Sequence, residues 1–272
     1  MKANAKTTMK TTTPAADDNL FAEERQINIL QEIEQKRKVM VNDLVKRFDV
    51  SGATIRTDLR QLERAGLLIR THGGAIAKTK TGFEPNTRQK EVHFVKEKSR
   101  IATAALSLIE DGDTIILDTG TTTLELARVL GARKNLTVVT NDLQIAQTLE
   151  EFSAITVFFL GGVVRKGFHC TVGVRGVEVA AGITVDKAFM GANGFSLTKG
   201  ATTPDIGQAE NKKQLMKMAG KIILLCDRSK IGRVALAQFA TADEVQTLVT
   251  DRLDAAERES LTKHGIEVVT PS

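Results

Sequence analysis

The chain has 272 residues, 42% of them apolar, and a formal net charge of +5, enough for one large or two ordinary domains with a buried core. No run of 18 apolar residues could span a membrane and the N-terminus lacks a secretory hydrophobic region, so a cytoplasmic protein without membrane contact is expected. Cys170 and Cys226 lie far apart in different segments, which suggests neither a zinc site nor a disulfide framework, and no cofactor is called for; the absence of Trp and Tyr argues against an aromatic platform for single strands.

In chain order, Met1 to about Ala16 is rich in Thr and Lys, lacks periodicity and reads as a disordered tail ending near residue 18. Asp17, Asp18 and Asn19 offer caps for a first helix with Ile27, Leu30 and Ile33 as its inward stripe. The charge run Lys36-Arg37-Lys38 reads as a solvated loop. Val41, Leu44, Val45 and Phe48 then recur at helical spacing, Asp49 to Gly52 breaks the stripe, and Ser51 is placed to cap a second helix beginning at Gly52. In that helix Ile55, Leu59 and Leu62 fall within about 60° of one another and must face the first. The other face carries Ala53, Arg56, Thr57, Arg60, Gln61 and Arg64. Two short helices joined by a tight turn, the second with a cationic and uncrowded face, predict a helix-turn-helix over residues 19–76. Gly66 is the expected C-cap, Leu67 to Thr71 a strand, and Gly73-Gly74 the turn of a β-wing. Residues 1–100 hold 20 Lys+Arg against 13 Asp+Glu, a balance of +7, whereas residues 101–272 hold 18 against 20, a balance of −2. The basic excess accompanies the helix-turn-helix, as a phosphate-binding module requires.

Residues 77–95, polar and with Gly82 and Pro85, read as a linker. From Lys96 the pattern changes. A helix to Ile109, stopped by Asp111-Gly112, precedes β-branched runs at Thr114–Asp118, Leu136–Thr140, Ile155–Leu160, Asp186–Met190, Ile222–Cys226, Val245–Val249 and Ile266–Val269. Helical stretches near Thr122–Leu130, Leu143–Leu149 and Gln208–Ala219 separate several of them. The fold class predicted for residues 96–272 is therefore α/β, with a mostly parallel sheet covered on both sides.

Ligands of open parallel sheets bind at the carboxyl ends of strands, and the conspicuous residues fall there. Asp118-Thr119-Gly120-Thr121-Thr122-Thr123 joins a strand to a helix, with a glycine for close approach, hydroxyl donors and free helix N–H groups suited to an anion. Other strand ends add Thr140-Asn141, Gly161 with Arg165, and Asn193; Glu210 and Lys212 begin a late helix, and Lys230 follows a strand. Singly, each is also what an ordinary turn, cap or charged surface uses. Their joint placement points to a polar, anion-binding pocket.

The run VSGATIRTDLRQLERAGLLIRTHGGA resembles the DNA-binding signature of the DeoR family of transcriptional regulators at Val50, Ser51, Thr54, Ile55, Arg56, Asp58, Leu59, Leu62, Glu63, Gly66 and Arg70 through Ala75. Thr57 departs from the second arginine often found there. LDTGTTTLELA, LTVVTND, LGGVVRKG, DKAFMGANGF and DRSKIGR are similar to the successive motifs of that family's sensor domain, with Thr171–Glu178 and its Arg175 fitting less cleanly. The resemblance implies a winged helix-turn-helix and a sensor similar in fold to sugar-phosphate isomerases. It further implies a phosphorylated sugar as effector, contacted by Asp118, Gly120, Thr121, Thr122, Asn141, Arg165, Glu210, Lys212 and Lys230.

The expected function is a regulator, most naturally a repressor, that binds a double-stranded operator as a homo-oligomer, dimer or tetramer. Arg56, Thr57, Arg60 and Gln61 would reach base edges, while Ser51, Thr54, Arg64, Arg70 and His72 would position phosphates. His72 either donates to phosphate or stabilises the wing turn. The alternative is a sugar-phosphate isomerase in which Asp118 or Glu210 with Lys212 acts on an enediolate. Fold analogy alone does not demand it, and no enzyme activity is expected.

Overall fold

The computed structural model describes residues 17–77, 84–173 and 182–271, and the elements named here are those of the described residues. The Met1–Ala16 tail and Arg175 lie outside them. The chain divides into two compact units, Met1–Lys78 and Thr79–Ser272.

In the first unit, helix α1 (Asp17–Lys36) leads through strand β1 (Lys38–Met40) into α2 (Val41–Phe48) and α3 (Gly52–Arg64), followed by β2 (Leu68–Thr71) and β3 (Gly74–Ala77). Ile55, Leu59 and Leu62 are at most 4% exposed and pack with Val41 and Leu44 of α2 and with Ile29, Leu30 and Ile33 of α1. Ile29, not Ile27, completes the α1 stripe. Asp49, left-handed at φ 52°, ends α2, and the Thr54 amide donates to Ser51 Oγ at 3.1 Å, so the expected cap is formed. At the other end of α3 the Leu67 amide reaches Leu62 O and the Gly66 amide reaches Glu63 O, both at 2.9 Å. With Gly66 at φ 74° this is a Schellman closure, the cap proper being Ala65.

The charge run also corrects the loop reading. Lys38 begins β1, which pairs with β3 to make a three-stranded antiparallel sheet in the order β1-β3-β2. Alternation decides it: Val39 enters the core while its neighbours face out. The wing turns at His72-Gly73, one residue before the expected position, because Thr71 and Gly74 already pair. A Cβ on Gly74 would lie 1.9 Å from Val39 O, so only glycine lets β1 and β3 approach.

The second unit opens with the short α4 (Thr87–Glu91) and α5 (Val95–Leu106). The parallel sheet then alternates strands with crossover segments: β4 (Thr114–Leu117), α6 (Thr121–Val129), β5 (Leu136–Thr140), α7 (Leu143–Glu150) and β6 (Ile155–Phe159). After a hairpin of β7 (Val163–Arg165) and β8 (Cys170–Val172) come β9 (Val185–Gly191), β10 (Gly194–Ser196), β11 (Gly200–Thr203) and α8 (Ile206–Lys217). The chain finishes with β12 (Ala219–Leu225), β13 (Ala237–Ala240), β14 (Thr247–Val249), α9 (Ala255–Lys263) and β15 (Glu267–Val269).

Seven strands form one sheet in the order β15-β14-β12-β9-β4-β5-β6, and every neighbouring pair is parallel. Alternate strand residues feed two cores. Ile115, Leu117, Val138, Phe189 and Ile223 pack under α5, α6 and α7, whereas Ile116, Val139, Ala188, Met190 and Leu224 meet α8, α9 and the β10-β11-β13 sheet. Burial on both faces explains the unbroken apolar runs of the inner strands, whereas the edge strand β6 leaves Phe158 and Phe159 partly exposed. The chain first moves outward from β4 through β5 to β6, then returns to β9 on the other side of β4. The order therefore reverses between β4 and β9, where an open α/β sheet leaves its crevice.

Candidate functional site

On α3, Arg56, Thr57, Arg60, Gln61 and Arg64 are all exposed, as are Ser51, Arg70 and His72, with Thr54 intermediate. An open cleft of about 720 Å³ between α3 and the wing is lined by Ala53, Arg56, Arg60, Arg70, Thr71 and His72, among others. The polar face is not uniformly free. Arg60 Nη2 donates to Thr57 Oγ1 at 3.0 Å, and Gln26 Nε2 donates to Gln61 Oε1 at 2.5 Å. Asp58, 3% exposed, anchors α3 from behind: Arg25 Nε meets its carboxylate at 2.6 Å and Gln26 Nε2 at 3.2 Å. The arginine-bearing face is thus held open by its own buried side.

At the sheet reversal, Asp118 follows β4 and is wholly buried. Its Oδ2 accepts from the Gly191 amide at 2.9 Å, across to β9, and from Lys212 Nζ. Lys212, 3% exposed, also donates to Gly191 O at 3.0 Å and lies 5.1 Å over the Phe239 ring. Among the described residues Asp118 Oδ1 has no partner, nor has Asn141 Oδ1 at the end of β5, although Asn141 Nδ2 donates to Thr171 O at 2.8 Å. Between these strands Gly120, at φ 154°, starts α6 without a side-chain cap. The first-turn amides of Thr121, Thr122 and Thr123 consequently lie outside the helix's own hydrogen bonds. Buried acceptors lacking donors beside an uncapped helix N-terminus suit a ligand that carries both hydroxyls and an anion.

Arg165 extends this cluster. Its guanidinium stacks 3.6 Å over the Phe168 ring and contacts Glu84 Oε2 at 2.8 Å and Asp205 Oδ2 at 3.3 Å. Asn193 Nδ2 reaches Glu84 Oε1 at 3.4 Å while its Oδ1 accepts from Thr203 Oγ1 at 3.2 Å. Lys230 lies 6.0 Å over the Phe94 ring. Other expected residues serve the scaffold: Thr140 Oγ1 accepts from the Asp142 amide at 3.1 Å and Thr123 Oγ1 donates to Gly120 O at 2.8 Å. Gly161 is exposed after β6, and Gly162 makes the close approach there, its Cβ position falling 2.8 Å from Val172 O. Glu210 is not brought in. Its side chain is 56% exposed and 4.0 Å from Lys213, because residues two apart on a helix point roughly 200° apart and Lys212 takes the inward direction.

Three side chains from the stretch assigned to the linker and the start of the next helix were not anticipated. Glu84 and Lys90 meet at 2.5 Å, and Lys98, 5% exposed, donates to His93 O at 2.6 Å and to Lys90 O. The available signal was Asn86-x-x-Gln89, which forms a reciprocal capping box on α4. Burial depresses both Lys90 and Lys98, and repulsion adds to it, from Lys230 and Lys212 on Lys90 and from Lys230 and Lys90 on Lys98. Burial is the larger cause and brings the Lys98 ammonium down to about 8, against a partial restoring effect of Asp227. A lysine depressed on folding is bound by a proton more tightly in the unfolded chain, so stability rises as pH climbs through 8. Between pH 7 and 9 the Lys98 contribution to stability should rise by about 1 kcal/mol, a part of the slope that Lys98→Met removes; urea unfolding at both pH values checks it.

The DeoR C terminal sensor domain matches residues 93–252, and the DeoR-like helix-turn-helix domain matches residues 25–81. The chain belongs to the DeoR family. Its DeoR-family relatives include the HTH-type transcriptional regulator GolR of Listeria innocua, 34% identical over 85% of this chain and 91% of that protein. GlpR of Haloferax volcanii is 35% identical over 90% and 96%, and the HTH-type transcriptional repressor GlcR of Bacillus subtilis 33% over 92% and 96%. This DeoR-family chain is accordingly a DNA-binding transcriptional regulator with a C-terminal sensor domain. Among its described residues no helix is long and apolar enough to cross a membrane. Ribose 5-phosphate isomerase A of Methanocaldococcus jannaschii aligns over 51% of this chain and 55% of its own at 22% identity, with a TM-score of 0.39, too low to carry the isomerase comparison further.

Proposed function

We propose that this DeoR-family regulator is a cytoplasmic repressor that binds a double-stranded operator as a homo-oligomer and whose operator affinity is set by a phosphorylated sugar. The observation that carries the DNA half is the exposed arginine face of α3 opposite the buried Ile55, Leu59 and Leu62, beside the cleft lined by Arg56, Arg60, Arg70 and His72. Two such units on one oligomer match half-sites about one helical turn apart, or multiples of that. The effector half is supported by the uncapped start of α6 and the partnerless Asp118 Oδ1 and Asn141 Oδ1. The amides receive the phosphate and the buried acceptors take sugar hydroxyls. Turnover is not part of this reading: Asp118 is engaged by Lys212 and Gly191, and Glu210, the alternative carboxylate for an isomerase, faces solvent.

A thermal-shift panel of phosphorylated sugars tests the effector half. At least one compound at 100 times its Kd should stabilise the parent by about 2.7 kcal/mol, while Thr121→Ala weakens that response and the unphosphorylated sugar gives none. The same compound should change affinity for the chain's own promoter fragment in a fluorescence-anisotropy titration. A panel in which nothing stabilises the parent overturns the effector assignment.

A further inference from the structure

Glu84 has no role in the scheme so far, yet its surroundings are those of a bound ligand. Its side chain is 8% exposed. Oε1 meets Lys90 Nζ at 2.5 Å and Asn193 Nδ2 at 3.4 Å, and Oε2 meets Arg165 Nη1 at 2.8 Å. Burial pushes this carboxyl up, but Lys90 and Arg165 outweigh it and hold it below the ordinary glutamate range. Two of the three donors are positioned without help from Glu84. Arg165 is stacked on Phe168 and contacts Asp205, and Asn193 is fixed through Thr203. A guanidinium, an ammonium and a side-chain amide converging on two oxygens are what a carboxylate or phosphate requires. The donors also adjoin the crevice, since Asn193 follows Gly191, the partner of Asp118 and Lys212, by two residues.

We propose that Arg165, Lys90 and Asn193 form an anion subsite that Glu84 fills as an internal ligand, and that the acid group of an incoming phosphorylated compound exchanges with the Glu84 carboxylate. The exchange deepens the effector reading and rests on it for its biological ligand. A dianion competes well here because Lys212 and Lys230 add to the field already felt by Lys90. The consequence reaches beyond the crevice, because residues 78–83 join Glu84 covalently to the DNA-binding unit. Occupancy of the subsite by Glu84 or by ligand defines two states of the chain that follows that unit, and a ligand shifts their populations by its differential affinity.

Inorganic phosphate is the probe, titrated calorimetrically into full-length parent, Glu84→Gln and Glu91→Gln at constant ionic strength. Removing the competing carboxylate should tighten phosphate binding about tenfold in Glu84→Gln, since the free subsite is no longer a minor state. Glu91→Gln, on α4 next to Lys90, removes a negative charge without freeing Arg165 and should stay within about twofold of the parent. In the parent, phosphate should speed amide hydrogen exchange over residues 86–91, which in Glu84→Gln is fast from the outset. Should the glutamine variant fail to fold, Glu84→Asp keeps the charge but withdraws it by one methylene, and a smaller tightening carries the same test. Equal phosphate affinity in the parent and the Glu84 variants overturns the proposal, as does an equal gain in Glu91→Gln. If a phosphorylated sugar stabilises the parent while phosphate affinity is unchanged in the variants, the effector reading stands and the internal ligand falls. Tighter phosphate binding in the variants with no sugar response removes the effector reading and keeps the subsite.

Discussion

Arg56→Ala is expected to leave the protein on DNA with a flattened sequence preference. Arg56 sits in the first half of α3 on the exposed face, and among the described residues no ion pair engages it. A bidentate arginine–guanine contact is worth about 1–3 kcal/mol of discrimination, so the ratio of affinities for operator and scrambled duplex should fall by that amount. Arg70→Ala should behave differently. Among the described residues the Arg70 guanidinium makes one ion pair, an exposed contact to Glu63 at 3.5 Å, of the kind that contributes little to stability. Turned instead onto a phosphate, it serves every sequence alike. Its loss should weaken both duplexes evenly and reduce the salt slope by about 1. Anisotropy titrations at about 50 and about 200 mM salt separate the two outcomes. Equal affinity of the parent for both duplexes would remove the operator reading altogether.

The largest stability effect is expected at the crevice. Lys212→Met strips the ion pair from a carboxylate that is fully buried, whose Oδ1 already lacks a partner and whose Oδ2 would keep only the Gly191 amide. Breaking such a pair from one side costs about 3–5 kcal/mol, because the desolvation of the remaining charge is no longer offset. The double variant Asp118→Asn/Lys212→Met, which leaves no buried charge, should recover at least half of that loss while still failing to bind effector. Lys213→Met is the control. It alters an exposed side chain one position along α8, 4.0 Å from Glu210, and should move stability by no more than about 0.5 kcal/mol. Urea unfolding of the four proteins measures all of this, and a Lys212→Met loss no larger than the control would show that the pair does not hold the crevice together.

What could be read directly from the chain was local. The Ile55, Leu59 and Leu62 stripe, the Ser51 cap and the Gly66 closure follow from helix period and from which residues satisfy helix ends. The seven apolar runs likewise announced a parallel sheet, since burial on both faces leaves no alternation to mistake. Short pieces escaped. β1 carries one inward residue, Val39, too brief a pattern to stand out from the charge run it follows; β10 and β11 are strands of three and four residues in a tight hairpin, and β13 pairs with β11 from about forty residues away. α9 has a sparse stripe, with Leu261 its one buried residue, and is placed by its capping box on Asp254.

The site divides in the same way. Strand-end residues were legible by sequence, because topology alone sends ligands to the carboxyl ends of a parallel sheet. Which of them turn inward was decided by packing: Lys212 points to Asp118 and Glu210 to water, a choice made by how α8 lies on its core. Glu84 shows the limit most clearly. Nothing in a polar stretch of mixed charge marks the Glu84 side chain as buried, and it becomes so only when Arg165 and Asn193, 81 and 109 residues away, are brought to it by the fold. Periodicity records which face of an element avoids water, whereas the meeting of distant charges depends on tertiary geometry, because a charge enters the interior only where its partner already waits.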